Sequence, residues 1–213
     1  MRSRINLLIE FFLLCILVPS IIIHLKIAPY MFAFLWGATG YCYVVLRISY
    51  HETLKEIWKW ELVTYKNLKP MLIRFVIATI AMILFMSWYD PERLFYVWHN
   101  NREFIPTLFI AYPLLSALPQ EFIFCSFFFT RYYPYFGDKS LMIFMSALVF
   151  AYAHMLYINP VAPILSFIGG LIFARTYANT KSLALVTIEH GLYGNALFFV
   201  GLGWYFYSGA VGH

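Results

Sequence analysis

Four ionisable side chains sit where the surrounding sequence is otherwise apolar: Glu121, His154, and the adjacent Glu189 and His190. Carrying such groups into a bilayer costs several kcal/mol, so each is a functional hypothesis by default. The residue types point to a short menu of chemistry. A carboxylate can take a proton from water while histidines orient that water or, with the carboxylate, complete a zinc set. The same groups also suit a proton relay in a transporter, or a polar network that only ties helices together. Glu10 and His24, near the two ends of the first apolar run, read as structural. Composition and spacing leave the three readings open.

The elements that must carry these residues are membrane spans. The chain has 213 residues, of which 62% are hydrophobic and 12% charged, about half the charge of a soluble domain. Mean hydropathy is +0.73. Apolar runs long enough to cross a bilayer fall at about 5–25, 29–48, 71–89, 105–133, 141–157, 161–179 and 182–206. The fold class is therefore an all-α membrane protein, a bundle of about seven transmembrane helices. Residues 1–104 form three spans and 105–213 the remaining four, within a single structural domain. The polar segment 49–70 alternates Trp58, Trp60, Leu62 and Tyr65 with Lys55, Lys59, Lys66 and Lys69, an amphipathic stretch expected on the membrane surface.

Seven spans with a cytoplasmic N-terminus place Arg2, Arg4, Arg47, Lys55, Lys59, Lys66, Lys69, Arg74, Arg131, Lys139, Arg175 and Lys181 on one side. Only Lys26, Arg93 and Arg102 fall on the other. That asymmetry obeys the positive-inside rule and accounts for the net charge of +5 without nucleic acid as a partner. The expected setting is a prokaryotic cytoplasmic membrane, with lipids and a peptide or protein substrate as partners. Cys15, Cys42 and Cys125 lie in apolar runs without paired spacing and read as small buried residues. Pro106, Pro113 and Pro119 predict a kink or break in the fourth span.

Three local patterns narrow the chemistry. The fourth span contains Gln120-Glu121 followed by Cys125, the fifth Phe150 and His154 in F-x-x-x-H spacing, and the seventh Glu189-His190 with Asn195. Their order, one motif per helix, resembles the CPBP intramembrane proteases (CAAX proteases and bacteriocin-processing enzymes, the Abi family) over about residues 105–206. The resemblance implies peptide cleavage within the membrane, with Glu121 activating water, His154 orienting it and His190, with Asn195, stabilising the oxyanion. Gln120 and Glu189 take secondary roles. Zinc is the metal that Glu121, His154 and His190 would suit. Gln120 stands where the family pattern has a first glutamate, and Cys125 where it has an arginine. Asn195 follows His190 by five residues rather than four, which a helical bulge at Gly191 and Gly194 would realign. A catalytically inactive relative that binds peptide, as in bacteriocin self-immunity, and a proton-coupled transporter are the alternatives.

Overall fold

The structure is a computed structural model that describes residues 4–206; Arg2 of the charge tally and the C-terminus lie outside the described residues. Seven helices are long and apolar enough to span a membrane: α1 (Arg4–His24), α2 (Ala28–Ser49), α3 (Tyr65–Tyr89), α4 (Arg102–Arg131), α5 (Ser140–Tyr157), α6 (Val161–Thr180) and α7 (Leu183–Val200). The protein is an all-α multi-pass membrane bundle. The expected spans hold to within a few residues except at α3, which starts at Tyr65 rather than 71, and at α7, which ends at Val200 rather than 206. Residues 65–70 are thus helical, and Arg74 lies inside a span rather than at its edge. The remaining connection carries a helical turn at His51–Lys55 and a tight turn at Trp60–Leu62, with the Trp58 and Trp60 rings stacked 5.7 Å apart.

The last helix lies at the centre. Its spanning window is 67% buried, against 11% for α1 and for α3, and it packs against α3, α4 and α6. Burial on all sides selects small residues wherever another helix comes close. At Gly194 a Cβ would lie 2.0 Å from the Tyr112 ring, so only glycine lets α4 approach here. The sequence expectation of a bulge at Gly191 and Gly194 does not hold: α7 is a regular helix through both. Its N-terminus is closed by the α2–α3 connection. Leu183 and Ala184 N–H donate to the Ile57 and Trp58 carbonyls at 2.7 and 3.2 Å, and Ser182 Oγ caps Leu185 N–H at 3.1 Å. Gly201, at φ +110°, ends the helix.

The prolines do not break α4. It widens into π-helical turns at Pro113–Ala117 and Phe122–Phe127 and continues to Arg131. A proline cannot donate to the carbonyl four residues back, and inside a membrane that carbonyl still needs a partner. Neighbouring helices supply it. Asn195 of α7 donates to Phe109 O at 3.3 Å, and Trp36 of α2 donates to Leu115 O at 3.2 Å. Phe128 N–H reaches Ile123 O and Cys125 O, bypassing Phe124 O, which accepts from Ser146 of α5 at 2.7 Å. Three helices are thereby keyed to α4.

Glu10 is structural, as expected: it is buried in a two-pronged ion pair with Arg131. Arg131 Nε and Nη2 meet Glu10 Oε1 and Oε2, each at 2.7 Å. The pair fastens α1 to the end of α4, so both residues act in the framework. His24 is exposed at the end of α1. All three cysteines are free and buried, as expected.

Candidate active site

Glu121 ends the short α-helical stretch between the two π-turns of α4 and is 1% exposed. His190 Nδ1 lies 2.7 Å from its Oε1. A carboxylate only accepts, so the imidazole donates from Nδ1. At the other end of the ring, Nε2 lies 3.0 Å from the Tyr112 hydroxyl. The His190 ring is stacked on Phe173 of α6, with centroids 4.5 Å apart and planes 15° from parallel. The pair is therefore fixed in both position and orientation. Glu121 Oε2 has no partner within the protein.

His154 starts the tight turn that ends α5. Its Nδ1 donates to the Phe150 carbonyl at 2.7 Å, which leaves Nε2 as the free ring nitrogen. The Phe150 ring links the two histidines, lying 4.5 Å from His154 and 5.7 Å from His190. Of the three residues expected to converge, Glu121 and His190 are in contact, and His154 shares with His190 the Phe150 ring and the lining of one cavity.

Against the two histidines lies a cavity of about 630 Å³ whose lining includes Tyr112, Phe150, His154, Phe173, His190 and Gly194, with Glu121 behind His190 and not in the lining. Its apolar walls come from α3 (Ala78, Met82, Phe85) and α6 (Ile164, Ile168, Ile172), and Ile164 and Ile168 are exposed on the flank of the bundle. A smaller cavity of about 200 Å³ lies towards α1 and α2, and His154 and Gln120 line it.

Three candidates have other engagements. Asn195 donates one of its two amide N–H groups to Phe109 O, meeting the carbonyl that Pro113 leaves free, and lines neither cavity. Glu189 is fully buried and faces α3, where Arg74 Nη2 holds its Oε1 at 2.8 Å and also reaches Thr176 Oγ1 at 3.3 Å. Gln120 turns away from His190, donating to Ser116 Oγ at 2.7 Å. Tyr112 and Arg74 escaped the sequence reading. Tyr112 is one of 17 tyrosines and carries no spacing signal. Arg74 lies 115 residues from its partner, and an arginine in a span was itself the available hint.

The donor set does not suit zinc as it stands. Both nitrogens of His190 face protein partners, and among the described residues no group of three His, Cys, Asp or Glu is arranged to hold a metal.

Fold and site together define a class: a helical membrane protein with a buried carboxylate–imidazole pair whose imidazole lines a cavity on the flank of the bundle. Residues 102–196 match the family model described as Rce1-like, type II CAAX prenyl endopeptidase. The matched stretch runs from the start of α4 to near the end of α7, just under half of the chain, and is similar to that family, one of the CPBP proteases. The family so described is one of CAAX-type intramembrane endopeptidases, which act on peptide or protein substrates. No curated protein and no solved structure gives a significant match.

Proposed function

We propose that the protein is an intramembrane endopeptidase in which Glu121 is the base. The observation that carries this reading is the 2.7 Å contact between Glu121 Oε1 and His190 Nδ1, which leaves Oε2 to act as the base, with His190 between the carboxylate and the large cavity that it lines. Water attacks the scissile carbonyl carbon as Glu121 Oε2 takes its proton, and the carbon–nitrogen bond breaks as that proton passes to the leaving amine. His154 Nε2 accepts the second hydrogen of the water and fixes its direction. The oxyanion needs a donor aimed into the cavity. His190 positions it through Tyr112: Nε2 holds the phenol at 3.0 Å, and the phenol proton turns from Nε2 to the oxyanion as charge develops there. Asn195 holds α4 in register for this set. Arg74 and Glu189 fasten α3 beside it.

The apolar walls suit a substrate segment embedded in lipid, and the family description names prenyl endopeptidases. A cytoplasmic N-terminus in a prokaryotic cytoplasmic membrane rests on the basic-residue asymmetry. The test is cleavage of peptides by the detergent-solubilised protein, wild type against Glu121→Gln, with and without chelator. Cleavage that depends on Glu121 and survives chelation is the expected result. A second reading, an inactive relative that binds peptide, draws on Gln120 and on the buried Cys125 where the family has an arginine. It requires binding without cleavage by the wild type.

A further inference from the structure

We infer that the smaller cavity is a specificity subsite. It takes one apolar side chain of the substrate, next to the scissile bond on the side away from the large cavity, and Gln120 receives the backbone N–H of that residue. The inference rests on the protease reading and deepens it.

Four observations combine. The cavity meets the large one at His154, which lines both, so an extended chain crossing the histidine would place neighbouring side chains in the two spaces. The lining is mostly apolar, with Leu35, Ala38 and Ile123 among the walls, and its polar atoms come from Gln120, Ser116, His154 and the tyrosines Tyr41, Tyr132 and Tyr157. The size suits one side chain. At about 200 Å³ it exceeds the roughly 150 Å³ that accepts a benzene ring and is smaller than the roughly 300 Å³ of the smallest drug-sized pockets.

The fourth observation selects the ligand. Gln120 is 9% exposed and donates from Nε2 to Ser116, while its Oε1 is buried without a partner. An unpaired buried acceptor costs about 1–3 kcal/mol, so this atom favours a ligand that donates to it. A lipid acyl chain has no donor. A substrate strand opened for cleavage has backbone N–H groups that find no water in hydrocarbon, and it carries an apolar side chain next to each. Where the family pattern has a carboxylate, this chain has an amide whose oxygen accepts such an N–H without competing with Glu121 for the proton of water.

The experiment compares kcat/KM for two peptide sets carrying Leu or Ala at each residue flanking the cleaved bond, with wild type, Ala38→Phe and Gln120→Leu. At one flanking position the wild type is expected to prefer Leu about tenfold or more, the discrimination that a few methylenes give in an apolar pocket. Ala38→Phe, which fills the cavity, is expected to reverse that preference, and Gln120→Leu to raise KM about tenfold with kcat held. Ile123→Phe fills the same space and replaces Ala38→Phe if that variant fails to fold. A benzophenone side chain at the preferred position, on a peptide bound to Glu121→Gln, is expected to crosslink to α2 and the middle of α4. Cleavage by the wild type with a preference unmoved by either filling variant, or crosslinks confined to α3 and α6, overturns the subsite and leaves the protease reading standing. Absence of cleavage of every peptide by the wild type overturns the protease reading, and the subsite with it.

Discussion

Replacing Glu121 with glutamine changes one atom and removes one charge. The amide oxygen can still accept from His190 Nδ1 at the 2.7 Å separation, so the helix contact survives. What is lost is the extra strength of a bond to a charged acceptor, about 1–2 kcal/mol when charged and neutral acceptors are compared. That is small against a typical folding stability of about 5–15 kcal/mol, and Glu121→Gln should fold. The chemistry should not survive, because an amide takes no proton from water. Loss of a general base costs about 10²- to 10⁴-fold, equivalent to roughly 3–5 kcal/mol of barrier. Gln120→Ala removes only a neutral bond to Ser116 and the subsite acceptor, so it should cost about tenfold through KM. The assay is turnover of a fluorogenic peptide in detergent micelles, with thermal unfolding of each variant measured in parallel. A Glu121→Gln variant as active as wild type would show the carboxylate to be structural, and the peptide-binding reading would replace the catalytic one. Equal damage from both substitutions would refute the division of labour between the two residues.

Arg74→Ala strands the fully buried Glu189 carboxylate and should cost about 3–5 kcal/mol of stability, read as a fall in unfolding temperature; Glu189→Gln in the same chain should restore most of it. Arg131→Met alone should destabilise to a similar extent, whereas Arg131→Met with Glu10→Leu should recover, since an apolar pair of similar volume is often as stable. Burial raises the Asp90 carboxyl, but bonds from Tyr205 and Arg93 outweigh it and hold the group below the usual carboxylate range. Its contribution is therefore fully present above about pH 4 and is lost as pH falls below that, and Asp90→Asn should flatten this acid limb of an unfolding titration. Cysteines introduced at Trp58 and Glu103 should be labelled by impermeant reagent from opposite faces of oriented vesicles; labelling from one face refutes the seven-span count.

The spans were legible because a bilayer forces each segment to satisfy its own backbone, leaving a run of apolar residues as the signature. Glu121, His154 and His190 were legible for the complementary reason, that a polar group in such a run is costly and stands out. What the sequence concealed depends on partners distant in the chain. Glu10 looked like an interfacial residue because Arg131 is 121 positions away. Asn195 looked like an oxyanion donor because the Phe109 carbonyl that claims it is exposed only by Pro113, one residue type acting on another through helix geometry. The three prolines suggested a break, but side chains from α2, α5 and α7 meet freed or bypassed carbonyls and let α4 widen instead. Gly194 looked like the site of a bulge and is a seat for Tyr112.

The closing of α7 by the carbonyls of Ile57 and Trp58 has a bearing on biogenesis. The α2–α3 connection leaves the ribosome well before α7 and remains an unfilled socket until the last span arrives. The four C-terminal helices therefore cannot seat their central member by themselves. A break in the chain between α3 and α4 should be tolerated when both pieces are made together, whereas the C-terminal piece made alone should be left with a frayed final helix and degraded.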